Sequence, residues 1–411
     1  MFRIPLATLT LAFVVGGCAG ANPPQTESAP PSRSIASPQP ESFITWRESF
    51  RPKAMAAGIT PGVFNAAFTG VGVNADVVRL DGRQAEFTKP IWEYLDSAAS
   101  PTRIETGQAQ RAALKPTLDA IEARYGVDQQ VVLAVWGMES NFGKNRGSIP
   151  VIESLATLAY DGRRQSFAEE QLIGALRILQ SGDVDPRHMT GSWAGAMGHT
   201  QFIPTSYLSY AQDFGGDGHR DVWSDDPTDA LASTANYLAR AGWVHGQPWG
   251  MEVRVPSGFN YGSADAANIH PTSDWSARGV TRLSGAPLPE YGPMAIIAPA
   301  GARGPAFAVY RNFAVIKRYN NATSYAMGVG HLGDRIMGAG PFQGTWPRGD
   351  RELSRSEKIE LQKELMARGY ATGEADGVIG PDTTTAIRAY QRSVGMVPDG
   401  YASAALLQKL R

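Results

Sequence analysis

Glu139 stands in the segment Val135-Trp136-Gly137-Met138-Glu139-Ser140-Asn141-Phe142-Gly143, just after a wholly apolar run from Val131 to Trp136. A carboxylic acid so placed can act as a general acid near neutral pH. Burial disfavours its charged form, and so does the negative end of a helix dipole; both raise its pKa. A helix-terminal glutamate can also simply face water, so its surroundings decide. Two further blocks offer groups that could surround it. In Gly191-Ser192-Trp193-Ala194-Gly195-Ala196-Met197-Gly198-His199-Thr200-Gln201-Phe202-Ile203-Pro204, Ser192 and Gln201 can hydrogen-bond. The glycines there allow a close backbone approach, either to a ligand or to neighbouring protein. Tyr319-Asn320-Asn321-Ala322-Thr323-Ser324-Tyr325 sets two tyrosines six residues apart, with Asn320 between them. Such faces suit sugar rings, because an apolar plane carries a polar rim, although aromatic residues at this spacing also build cores.

A fourth segment, Asp213-Phe214-Gly215-Gly216-Asp217-Gly218-His219-Arg220-Asp221, follows the opening of an EF-hand loop. Asp213 and Asp217 would be side-chain ligands, His219 would lend its backbone carbonyl, and Asp221 would stand at the ninth position. Gly215 at the third position supplies no side-chain ligand, and Ser224 stands where a bidentate carboxylate belongs; Asp225 or Asp226 could substitute in a longer loop. A weak structural calcium site and a metal-free turn both fit this pattern.

Elements able to position these groups are mostly helical. Leu114 to Tyr125, Val131 to Ser140, Gln165 to Gln180 and Thr228 to Ala241 carry apolar residues at helical spacing. Asp128 is the expected N-cap of the helix that carries Glu139, and Gly143 its expected stop. Pro116 falls in a first turn, where a helix tolerates it. Val253 to Ala302, richer in Gly, Pro and Ser, predicts irregular structure with a few short strands. Near the C-terminus, Asp376-Gly377 and Asp399-Gly400 are turn dipeptides in a weak duplication, with helical runs at Ser354 to Arg368, Thr383 to Ser393 and Ala402 to Leu410.

Composition bounds the reading. The 411 residues are 43% hydrophobic and 19% charged, with a net charge of −1, which describes a globular chain with no electrostatic pull toward nucleic acid. Arg3, the apolar stretch Leu6 to Val15 and Val15-Gly16-Gly17-Cys18 read as a secretory leader ending in a lipobox, with Cys18 as the lipidated residue. Cleavage after Ala19-Gly20-Ala21 is the alternative and would release a soluble periplasmic protein. Residues 19–41 are rich in Pro, Ser, Ala and Gln, as a tether would be.

Together the blocks at Glu139, Ser192 to Gln201 and Tyr319 to Tyr325 resemble the lytic murein transglycosylase B family over most of residues 43 to 340. Asp376-Gly377-Val378-Ile379-Gly380-Pro381-Asp382-Thr383 resembles the turn of peptidoglycan-binding modules. The resemblance implies a mainly α, lysozyme-like (α+β) catalytic domain with a substrate groove, plus a small three-helix wall-binding domain. The expected division is a leader at 1–18, a tether at 19–41, the catalytic domain at 42–340, a linker at 341–352 and the module at 353–411. It further implies that Glu139 is the sole catalytic acid/base and that Ser192, Gln201, Tyr237, Tyr319, Asn320 and Tyr325 line the substrate site; Tyr94 matches a further aromatic position loosely. No cofactor is required, apart from the structural calcium left open above. Expected partners are peptidoglycan strands and, through Cys18, the periplasmic face of the outer membrane.

Most glycoside hydrolases need two carboxylates, and these blocks supply one. One suffices if the substrate provides its own nucleophile, as in cleavage between N-acetylmuramic acid and N-acetylglucosamine that leaves a 1,6-anhydro end. A muramidase using water on the same bond, and an inactive wall-binding lipoprotein, are the competing readings.

Overall fold

The computed structural model describes residues 42–83 and 89–411, so the leader, Cys18 and the 19–41 tether lie outside the described residues. The helix Gln129–Ser140 has no polar stripe, and every residue from Val131 to Gly137 is buried. A helix apolar on all sides belongs in the centre of a bundle. Pro101–Ala113, Lys115–Tyr125, Thr228–Arg240 and Thr323–Ile336 pack around it, and Leu118, Ile121, Leu133, Leu231, Leu238 and Leu332 fill the space between. Pro116 sits in the first turn of its helix, as expected.

Both ends of the central helix differ from expectation. Asp128 precedes it but caps no helical amide; its carboxylate instead accepts from Trp243 Nε1 at 2.7 Å and lies 3.2 Å from the Gly246 N–H. The helix stops before Gly143, because Asn141 enters the left-handed region at φ 51°. Phe142 at φ 57° and Gly143 at φ 81° extend this turn, and the Phe142 ring swings back under the helix. A Cβ on Gly137 would lie 2.7 Å from that ring and one on Gly107 3.0 Å from it, so both glycines make room for Phe142.

A second core forms where Phe43–Ala56 and Pro61–Ala67 pack with Val151–Asp161, Gln165–Ser181 and Pro204–Tyr210. Ser42 and Thr60 cap the first two of these helices by accepting from Thr45 N and Val63 N. Trp46 stacks on Phe50 at 5.6 Å, and Phe64 on Phe68 at 4.5 Å. Tyr237 and Tyr319 pack against both cores and so mark their seam.

The Gly/Pro-rich stretch does carry short strands. Gly250–Arg254 pairs antiparallel with Thr281–Arg282 on one side and with Ala306–Val309 on the other, and Ala295–Ile297 completes a four-stranded sheet. Trp275, Met294, Ile296 and Ala308 are buried against it. Residues 341–352 are anchored on the helical core although their composition reads as a linker. Phe342 stacks on His331 at 3.9 Å, Trp346 packs near Trp92 and Phe307, and Arg348 pairs with Asp96 at 2.6 Å.

The C-terminal unit has helices Arg355–Ala367, Pro381–Ser393 and Ala404–Leu410 around Leu361, Leu365, Ile387, Leu406 and Leu410. Ser354 and Glu357 close a capping box at its start. The duplication is real at atomic level. Gln362 Oε1 accepts from Gly377 N while its Nε2 reaches Asp376; Gln391 repeats both bonds with Gly400 and Asp399. Each helix therefore holds the Asp-Gly turn that follows it. The second turn also faces the larger domain, where Asp399 Oδ2 accepts from Ala302 N at 2.9 Å and Arg388 donates to Tyr261 O at 3.2 Å.

Candidate active site

Glu139 is the penultimate residue of the central helix and is half-buried where the helix reaches the seam between the cores. Burial pushes its carboxyl up to about 7, and the Tyr325 O–H, which donates to Oε1 at 2.5 Å, opposes that rise only in part. No other charged group contributes to the shift. Desolvation is thus the cause the sequence foresaw.

The turn after Glu139 is fastened to the Gly191–Pro204 block. Ser140 Oγ donates to His199 O at 2.6 Å and accepts from Gly143 N at 2.9 Å. Trp136 Nε1 donates to His199 Nδ1 at 3.0 Å, so His199 carries its proton on Nε2 and donates to Ser224 O at 2.8 Å. Burial keeps His199 below the usual imidazole range, and nearby Arg146 adds to this; a neutral ring suits its two bonds. His199 went unremarked in the sequence, although it is the one ionisable residue within that small-residue block.

Ser192 and Gln201 shape the loop from within. Ser192 Oγ accepts from Ala196 N at 3.1 Å and Ala194 N at 3.3 Å. Gln201, buried at φ 53°, donates through Nε2 to Gly198 O at 2.8 Å and to Arg146 O at 3.0 Å. The block's glycines serve close protein packing: a Cβ on Gly198 would stand 2.0 Å from Val222 O, and one on Gly195 2.6 Å from Leu155.

Tyrosines enclose the acid. Tyr319 ends helix Arg311–Tyr319, is half-buried, and donates to Thr200 O at 2.5 Å. Its ring meets Tyr237 edge-on at 5.0 Å, and Tyr237 in turn donates to Arg318 O at 2.5 Å. Asn320 accepts from Ala322 N at 3.0 Å, which sets the turn between the Tyr319 helix and the Tyr325 helix. Burial and then the neighbouring Glu139 charge raise the phenols of Tyr94, Tyr319 and Tyr325, so all three stay neutral donors. The Tyr94 ring lies against Gly328, where an added Cβ would stand 3.0 Å from it and 3.3 Å from Met138, the neighbour of Glu139. Glu153 accepts from Asn74 Nδ2 at 2.6 Å, and Glu169 pairs with Lys53 at 2.8 Å.

Asp213, Asp217 and His219 lie together in one exposed loop, whose carboxylates brace the loop backbone. Asp213 spends its carboxylate on the N–H groups of Gly216, Asp217 and Gly218. Asp217 accepts from His219 N, and Asp221 from Trp223 N and Ser224 N. Of the acids that could replace Ser224, Asp225 pairs with Arg146 at 2.7 Å and Asp226 accepts from Thr228. Asp229, overlooked in the sequence, closes the loop by accepting from Phe214, Gly215 and Asp221 amides.

Residues 42–334 match the family model described as the transglycosylase SLT domain, and residues 354–410 match a peptidoglycan binding domain. Membrane-bound lytic murein transglycosylase B of Escherichia coli K12 is 32% identical over 276 residues, covering 63% of this chain and 73% of that protein. The crystal structure of SltB3 from Pseudomonas aeruginosa, in complex with NAG-anhNAM-pentapeptide, superposes with a TM-score of 0.88 at 51% identity, covering 90% of this chain and all of that one. Escherichia coli Slt35 in complex with calcium gives 0.62 at 27% identity, over 71% of this chain and 92% of that one.

Proposed function

The chain belongs to the transglycosylase SLT domain family and cleaves peptidoglycan as a lytic transglycosylase; from that premise we propose that Glu139 is its only acid and base. Protonated Glu139 gives its proton to the glycosidic oxygen between N-acetylmuramic acid and N-acetylglucosamine as the C1–O bond breaks. The N-acetyl group and the enclosing tyrosines stabilise the oxocarbenium-like charge. The Glu139 carboxylate then takes the proton of the muramic C6 hydroxyl, whose oxygen bonds to C1 and closes a 1,6-anhydro ring. An attacker already within the substrate has a large effective concentration, so no water needs activating and no second carboxylate is called for.

One observation carries this reading: burial raises the Glu139 carboxyl to about 7, so that it can both give and take a proton near neutral pH, while Tyr325 stands ready to support the carboxylate that proton transfer leaves. Tyr237, Tyr319 and Tyr325 form the aromatic wall of the substrate site in this proposal. Ser192, Gln201 and Asn320 act there mainly by fixing the loops around it. No step of this proposed cycle is routed through a metal, and a structural calcium in the Asp213–Asp221 loop would stay outside it. Digestion of purified peptidoglycan tests the proposal. Muropeptides lighter by one water than hydrolytic products are expected, and reducing-end products would overturn it in favour of a muramidase.

The substrate places the protein in the cell envelope. We propose further that Cys18 carries lipid and holds the chain at the periplasmic face of the outer membrane. Replacing Cys18→Ser should move the protein from the membrane fraction to the soluble one, and an unchanged distribution would refute the anchor.

A further inference from the structure

At the end of the central helix opposite Glu139, three side chains that the reaction does not use come together. Glu122 near the end of Lys115–Tyr125, Asp128 just before Gln129–Ser140, and His245 in the loop after Thr228–Arg240 bring one ligand atom each within 4.8 Å of one another. His245 Nδ1 lies 3.5 Å from Asp128 Oδ1 and 3.8 Å from Glu122 Oε1. Donors bound tetrahedrally to zinc at ~2.1 Å stand ~3.4 Å apart, so the two histidine pairs are already near that spacing and an ion would draw the two carboxylates together from a separation of at most 4.8 Å.

The surroundings are those of an oriented ligand set. In each carboxylate one oxygen is held by a side-chain donor while the other faces His245, and the Gly246 N–H also lies 3.2 Å from both oxygens of Asp128. Gln129 Nε2 donates to Glu122 Oε2 at 2.8 Å, and Gln129 is itself held by Arg111 at 3.1 Å. Trp243 Nε1 donates to Asp128 Oδ2 at 2.7 Å. Outer donors of this kind fix the orientation of metal-binding carboxylates. Charge points the same way: Asp128 is only 8% exposed, and among the described residues no lysine or arginine pairs with it or with Glu122. Two neighbouring carboxylates without a fixed countercharge are costly unless a cation joins them. His245 is exposed, so an ion can enter from solvent and water can complete its shell.

We propose that Glu122, Asp128 and His245 form a site for a divalent transition metal of the zinc class, which pins the loop after Thr228–Arg240 to the start of the helix bearing Glu139. Imidazole among the ligands favours zinc over calcium or magnesium. The role is structural, because the site stands at the far end of that helix from the acid.

Calorimetric titration of zinc chloride into the metal-stripped protein at pH 7.5, with melting curves in zinc and in EDTA, tests the proposal. Wild type should bind one equivalent saturably and melt higher in zinc than in EDTA. His245→Ala should lower the affinity at least ~100-fold and abolish the melting shift, with its EDTA melting curve reporting that it still folds. Glu122→Gln should weaken binding in the same sense. No saturable binding by wild type would overturn the proposal in favour of a protonated His245 bridging the two acids, and undiminished binding by His245→Ala would overturn it in favour of another histidine.

Discussion

Replacing Glu139 by glutamine removes both its proton chemistry and its cost to the fold. Burial raises the carboxyl from 4.5 to about 7, which favours its neutral form in the folded state by roughly 3 kcal/mol. The sign follows from linkage. A carboxyl whose pKa is raised on folding stabilises fully below its unfolded value and loses that contribution as pH climbs through about 7. Glutamine keeps the size and neutrality and does not titrate. The two proteins should therefore melt together at pH 4, and Glu139→Gln should be more stable by about 2–3 kcal/mol at pH 8.5. At roughly 2–4 °C per kcal/mol for a domain near this size, calorimetric scans resolve the difference. Turnover of purified peptidoglycan should fall by roughly 10²- to 10⁴-fold or more, and wild-type kcat/KM should decline above pH about 7 as the acid ionises. Retained turnover would refute the acid/base role. Coincident melts at both pH values, with activity lost, would refute the claim that burial sets the protonation state.

Tyr325→Phe removes the donor to Glu139 Oε1, which favours the carboxylate. The alkaline limb of its kcat/KM profile should move to higher pH and turnover should drop roughly 10- to 100-fold; an unmoved limb would break the link between the two residues. Asp334 is raised from 3.8 to about 6 by burial, although Trp249 Nε1 donates to it at 2.8 Å, so it weakens the fold progressively as pH rises through that range. Asp334→Asn keeps the acceptor for Trp249 and should stabilise by up to about 2–3 kcal/mol at pH 7.5 and little at pH 3.5, as denaturant melts would show. Deleting residues 351–411 should weaken sedimentation with insoluble wall while sparing turnover of soluble fragments; unchanged sedimentation would contradict wall binding by the module.

Features written locally in the chain were legible before folding. An apolar run with one acid at its end marked the central helix, and the paired Asp-Gly dipeptides marked the C-terminal repeat. What escaped was long-range. Asp128 looks like a cap because its neighbours are helical, yet its partner Trp243 is 115 residues away. His199 gains its role from Trp136 and Ser224, and Tyr237 and Tyr319 gain theirs only when two separate cores close on them. Gly143 was the favoured stop on intrinsic preference, but the chain turns left-handed two residues earlier, with Asn141 and Phe142 in that region before Gly143. Residues 341–352 misled in the other direction, since turn-rich composition conceals the packing of Phe342 and Trp346.

The tucked ring of Phe142 has a consequence for how this sequence can diverge. The ring fills room that Gly107 and Gly137 leave vacant, and Ile336 closes on Gly107 at 2.5 Å from where a Cβ would stand. A larger residue at Gly137 has no space unless position 142 shrinks, one at Gly107 needs Ile336 to give way as well, and a smaller residue at 142 opens a void against the central helix. Positions 107, 137, 142 and 336 are therefore inherited as a set. Descendant sequences should change them in concert or keep them, and a library that randomises one at a time should return almost only the parental residue.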